Sequence, residues 1–238
     1  MTEPLHHDVT GSGPVLLLVP GGSGHPMGLE PLTERLARRF TVVTYDPLGL
    51  AAGRLGLPVP DQSPADWSDG ASRVLEAVLP PGERAYVFGT SSGGIAVLDL
   101  LARHPHRLAH VVAHEPPCVT VLRDGQERRQ ELIGQLDGPG RPPAEGASAT
   151  PMGVFLAHVL RPFTAHVPAL SVPEHRLTLA VGTDSRGRLL YRTAESLADR
   201  FGSALVEFPG GHLGTLDHPV EFADLLAETF LSSARTSS

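Results

Sequence analysis

Short, wholly apolar runs alternate with amphipathic stretches along almost the entire chain, and this alternation limits the fold more than any other feature. Val15 to Val19 is a continuous apolar run closed by Pro20-Gly21-Gly22, as expected of a strand buried on both faces. Leu29 to Phe40 follows, with apolar residues at Leu29, Leu32, Leu36, Ala37 and Phe40, a helical spacing. The same rhythm predicts strands at Thr41 to Tyr45, Ala85 to Phe88, Leu108 to Ala113, Arg176 to Val181 and Ala204 to Phe208. Helices are predicted at Asp66 to Leu79, Ser92 to Arg103, Arg192 to Phe201 and Val220 to Leu231. Strands alternating with helices imply an α/β fold, a mostly parallel sheet with helices on both faces. The rhythm breaks between Pro116 and His175. Two helices are expected there, Val121 to Leu136 and Met152 to Leu160, flanking a loop rich in Pro, Gly and Ala from Asp137 to Thr150. The expected organisation is a core domain of residues 1–115 and 176–238 with a small helical cap insertion, 116–175. The polar tail, Ser232 to Ser238, is expected to fray.

Composition narrows the chemistry. The 238 residues carry 19 basic and 26 acidic groups, a net charge of −7, unsuited to a nucleic-acid groove. None of the basic residues is Lys, which excludes phosphate-loop and Schiff-base lysines. Asn is absent too, so a Cys-His-Asn triad is excluded. The single cysteine, Cys118, forbids an intrachain disulfide and argues against Cys-based metal sites. Met1 to Thr10 lacks the pattern of a signal peptide, and no apolar run approaches the ~20 residues that span a bilayer. A soluble, cytoplasmic protein is expected, with no membrane or nucleic-acid partner, no metal and no cofactor. The sequence leaves its oligomeric state open.

On such sheets ligands bind beyond the carboxyl ends of the strands, so the residues following each strand are the ones to read. Gly89-Thr90-Ser91-Ser92-Gly93 follows one predicted strand and opens a helix. That setting turns a common G-x-S-x-G pattern into a candidate nucleophile turn, with Ser91 exposed at a tight corner and the Ser92 N–H as an oxyanion donor. Pro20-Gly21-Gly22-Ser23-Gly24-His25 follows the first apolar run, and Gly22 is the candidate second donor. The glycines there do not make a dinucleotide fingerprint. Pro209-Gly210-Gly211-His212 follows the last predicted strand, so His212 is the candidate general base. His25 is a candidate pocket residue; His114, His158, His166 and His218 read as spectators. Two carboxylates compete to orient His212. Glu115 follows one strand in His-Glu-Pro-Pro, and Asp184 follows another in Gly-Thr-Asp-Ser. Glu115 is preferred, because Pro116-Pro117 stiffen the chain behind it and the neighbours of Asp184 suggest solvent.

Taken together, VPGGSG, TYDPLG, FGTSSGG, AHEPP and FPGGH resemble the α/β-hydrolase superfamily, in order and over nearly the whole chain. The stretch FGTSSGGIAVLDLLARHPHRLAHVVAHEPP is similar to actinobacterial cap-bearing serine hydrolases and, more distantly, to zearalenone lactone hydrolases. In those lactonases the triad acid is a Glu after the strand that follows the elbow helix, a position that maps onto Glu115. Haloalkane dehalogenases that use a Glu share this spacing, 24 positions beyond Ser91. They and epoxide hydrolases carry an Asp nucleophile, so neither activity is implied by a serine here. The resemblance implies an α/β-hydrolase fold and a cofactor-free serine hydrolase that acts on a small-molecule ester or lactone through an acyl-enzyme. A thioesterase, or a tailoring cyclase or acyltransferase of a polyketide-type pathway, would use the same residues. A ligand-binding, inactive member of the fold is the non-enzymatic alternative. Phe155, Val159 and Phe163 in the cap are candidate substrate-binding residues, with cap core as their other reading.

Overall fold

The computed structural model describes residues 5–22, 29–136, 149–169 and 171–236. His25 and most of the loop expected at Asp137 to Thr150 lie outside the described residues. Among the described residues, seven strands form one sheet: β1 (His6–Gly11), β2 (Val15–Val19), β3 (Thr41–Asp46), β4 (Ala85–Thr90), β5 (Leu108–His114), β6 (Leu177–Gly182) and β7 (Ala204–Phe208). Their order is β1-β3-β2-β4-β5-β6-β7. All neighbouring pairs are parallel except β1 with β3. The sheet is the mostly parallel one expected of an α/β-hydrolase fold.

Alternate residues of β2 explain why its sequence reads as an unbroken apolar run. Leu16 and Leu18 pack beneath α1 (Glu30–Leu36) and α9 (Pro219–Thr236), with Phe40, Phe222 and Phe230. Val15, Leu17 and Val19 point the other way, into the layer of α2 (Pro64–Val78), α3 (Ser92–Arg103) and α7 (Leu189–Phe201). Both faces are therefore dry, and each buried side chain is stabilised by ~1.5–3 kcal/mol of transfer free energy. Helix α2 starts two residues before the predicted Asp66, at a reciprocal cap between Ser63 and Asp66.

Between β5 and β6 the chain makes α4 (Gly125–Leu136), α5 (Pro151–His158) and α6 (Leu160–Ala165). The single helix expected at Met152 to Leu160 is thus two helices, broken at Val159 (φ −117°). Pro162 is the cause: it cannot donate to the His158 carbonyl and its ring would collide with it. That carbonyl instead accepts from the Gln62 N–H at 2.9 Å. The first expected helix of this segment starts at Gly125 rather than Val121, after a short 3₁₀ turn at Val119–Val121. Strand β1 and the four-residue helix α8 (Gly214–Asp217) were not signalled by the sequence. At the carboxyl end, α9 continues through Ser232 to Thr236, and the last two residues of the tail expected to fray lie outside the described residues. The Ser232 and Ser233 hydroxyls bond back to the Thr229 and Phe230 carbonyls at 3.0 and 2.7 Å. Among the described residues, no helix is long and apolar enough to cross a membrane.

Candidate active site

Ser91 stands at the corner between β4 and α3 with φ 53° and ψ −121°, a conformation that costs a non-glycine residue energy. The glycines on either side make the corner possible. A β-carbon at Gly89 would lie 2.4 Å from the Gly93 carbonyl oxygen, and one at Gly93 would lie 2.2 Å from that of Val19. The turn after β2 therefore runs directly against the start of α3. A β-carbon at Gly21 would lie 3.3 Å from the Ser91 β-carbon, so the glycine turn flanks the serine. Ser92 is buried in the first turn of α3, where backbone N–H groups have no intrahelical acceptor.

His212 lies in the turn after β7. Its Nε2 is 3.2 Å from the Ser91 Oγ, and its Nδ1 is 2.9 Å from Glu115 Oε2. A carboxylate can only accept, so Nδ1 carries the proton and donates to Glu115. The bare Nε2 is then left to accept from the Ser91 hydroxyl. Glu115 is wholly buried and has a positive φ of 42°. Its other oxygen, Oε1, accepts from the Gly182 N–H at 2.9 Å. Burial pushes the Glu115 carboxyl up, but hydrogen bonds from His212, the Gly182 N–H and the Ser185 hydroxyl outweigh it and hold it at about 2. Backbone bonds between strand ends hold both strained residues: Ser91 N–H donates to the His114 carbonyl and Glu115 N–H to that of Ala180, each at 2.9 Å.

Of the two candidate acids, only Glu115 meets the histidine. Asp184 sits in a 3₁₀ turn after β6 with its side chain in solvent. Its backbone N–H donates to the Gly210 carbonyl at 2.9 Å, bracing the turn that carries His212. Ser185, one position further on, is the buried residue that bonds Glu115. Neither Ser185 nor Gly182 was singled out from the sequence, although the strand end Gly-Thr-Asp-Ser placed both beside the acid. Phe155 lies against the glycine turn: a β-carbon at Gly22 would be 2.2 Å from its ring. Val159 and Phe163 are fully buried, and the Phe163 ring packs edge-on against Trp67 with centroids 4.7 Å apart. These two belong to the apolar core shared with α2 and α3. Among the described residues, no three His, Cys, Asp or Glu side chains gather as metal ligands.

Comparison with known proteins places the chain in a family. The uncharacterized hydrolase YraK of Bacillus subtilis (strain 168) is 29% identical over 247 aligned residues, covering 93% of this chain and 90% of YraK. The enol-lactonase from Burkholderia xenovorans LB400 superposes with a TM-score of 0.65 at 17% identity, covering 96% of each chain. A thermophilic esterase from Thermogutta terrifontis does so with a TM-score of 0.68 at 18% identity, covering 96% of this chain and 93% of the esterase. At these identities the two structures share the fold. The model of the alpha/beta hydrolase family matches residues 16–225, from within β2 into α9, and the chain belongs to that family.

Proposed function

We propose that this protein is a cofactor-free serine hydrolase that cleaves a small-molecule ester or lactone through an acyl-enzyme. One observation carries the reading: Ser91 Oγ, His212 and Glu115 form an unbroken relay, with contacts of 3.2 and 2.9 Å. Ser91 attacks the substrate carbonyl as His212 Nε2 removes its proton. The N–H groups of Gly22 and Ser92 hold the oxygen that becomes negative. Glu115 fixes the imidazole tautomer and faces the positive charge that develops on it. His212 then protonates the leaving alcohol, which in a lactone remains tethered to the acyl group. Water, activated by the same histidine, releases the acid and restores Ser91. Helices α4 to α6 act as the cap, with Phe155 forming the wall beside the oxyanion turn. The ester or lactone class is supported by the resemblance of the Glu115 position to the acid of lactone hydrolases. YraK supports the hydrolase class alone.

A panel of aryl esters and lactones tests this function, with Ser91→Ala as the control. Turnover of at least one substrate is expected, and Ser91→Ala should lower kcat by at least ~10³-fold. Hydrolysis that survives Ser91→Ala undiminished would remove Ser91 from the mechanism.

A further inference from the structure

His114 is a buried histidine that the relay does not use. It is fully inaccessible to solvent, and its Nδ1 lies 3.1 Å from the Thr90 hydroxyl. Its Nε2 is buried with no hydrogen-bond partner. A phenyl ring would fill the same space without an unsatisfied nitrogen, so packing alone does not account for a histidine here. Its location is informative. Thr90 and His114 are register partners on β4 and β5. Thr90 immediately precedes Ser91 and His114 immediately precedes Glu115, the two non-glycine residues with positive φ among the described residues. The Thr90–His114 side-chain bond therefore ties together the strand ends from which both strained residues spring. The His114 ring also lies nearly parallel to that of His212, with centroids 6.3 Å apart and planes inclined by 19°. Phe222 closes on His114 edge-on at 5.2 Å. Burial holds the imidazole neutral, pushed down to about 4; the Glu115 carboxylate opposes this shift and His212 reinforces it.

We propose that His114 is a positioning residue of the relay: with Thr90 it clamps the strand ends that carry Ser91 and Glu115, and its ring sets the plane of His212. This inference rests on the serine-hydrolase reading above. A productive relay tolerates little misplacement, since a shift of about 1 Å can cost on the order of 100-fold in rate. Removing the clamp should therefore slow the chemical step while leaving substrate affinity alone.

The test is the rate at which a fluorophosphonate labels Ser91. It is measured on wild type, Thr90→Val, Thr90→Ser, His114→Phe and the Thr90→Val/His114→Phe double variant. Thr90→Val and His114→Phe each remove the hydrogen bond while keeping much of the shape. Labelling is expected to slow by about 10-fold or more in each, and by no more in the double variant, because both remove the same bond. Thr90→Ser restores the hydroxyl and should label at close to the wild-type rate. On any ester the enzyme turns over, the loss should appear in kcat with KM unchanged. If His114→Phe does not fold, Thr90→Val against Thr90→Ser decides the matter. Wild-type rates in Thr90→Val, or equal slowing in Thr90→Val and Thr90→Ser, would overturn the clamp while Ser91 still labels in the wild type. A wild type that is not labelled at Ser91 overturns the serine-hydrolase reading itself, and this inference with it.

Discussion

Glu115 meets His212 because its backbone turns into the left-handed region immediately after β5, which sends the side chain across the sheet end. Three donors then surround a carboxylate that no water reaches. Asp184 has none of this support, and its carboxylate stands in solvent, where a charge holds a histidine weakly. Glu115→Gln should therefore lower kcat by up to ~10⁴-fold, as loss of the correct tautomer does in serine proteases. Asp184→Asn should stay within a fewfold of wild type in the same steady-state assay, with both folds checked by circular dichroism. The sequence singled out Ser91, His212 and both acids, because each follows a strand in a recognisable turn. Topology alone leaves both acids open, and the sequence prefers Glu115 only through the prolines behind it and the polar neighbours of Asp184. The choice depends on the φ of one residue and on Ser185, whose hydroxyl points to Glu115 only in three dimensions. The sequence carries no signal of the Thr90–His114 contact for the same reason: the two residues are 24 positions apart in the chain.

Among the elements, those with two buried faces or a strongly amphipathic face were legible, and those shaped by a single contact were not. Strand β1, His-His-Asp-Val-Thr-Gly, lies at the sheet edge and is mostly exposed, so it carries no apolar signature. The split between α5 and α6 turns on Pro162 and on one bond from Gln62, which a window of apolar spacing cannot register. The wedge of Trp67 and Phe163 fastens α6 to α2. Phe163→Ala should cost ~3–5 kcal/mol in chemical denaturation, in keeping with a large buried aromatic. The corner between β4 and α3 makes the opposite demand, for the absence of a side chain. Gly93→Ala would press a methyl group into the Val19 carbonyl at 2.2 Å. The variant should lose about 1–3 kcal/mol or more, with labelling of Ser91 falling as the corner is forced open.

At the level of the whole molecule, the buried histidines couple stability to pH. Burial pushes both His110 and His114 down to about 4, with the charge of His175 adding to the effect on His110. In the unfolded chain each takes up its proton near the ordinary value of 6.5. Between those values the unfolded state binds more protons than the folded one, so stability is fully present above about 6.5 and falls as the pH drops toward about 4. Glu115 extends the decline: its stabilisation is present above its ordinary value of 4.5 and is lost as the pH falls toward about 2. Denaturant midpoints should thus be flat near neutrality and fall steadily through the acid range; His110→Gln should flatten the upper part of that slope. The alternation of apolar runs made the doubly covered sheet legible, because burial on both faces leaves a continuous trace in sequence. It could not announce that α5 and α6 would share the core beneath them, since apolar helices read alike whether they line a pocket or fill an interior. Mass spectrometry of the protein after reaction with a fluorophosphonate shows whether this fold presents one activated serine. A single adduct on the peptide that contains Ser91, absent from Ser91→Ala, is the predicted result; an adduct on another serine, or none on the folded protein, would contradict it.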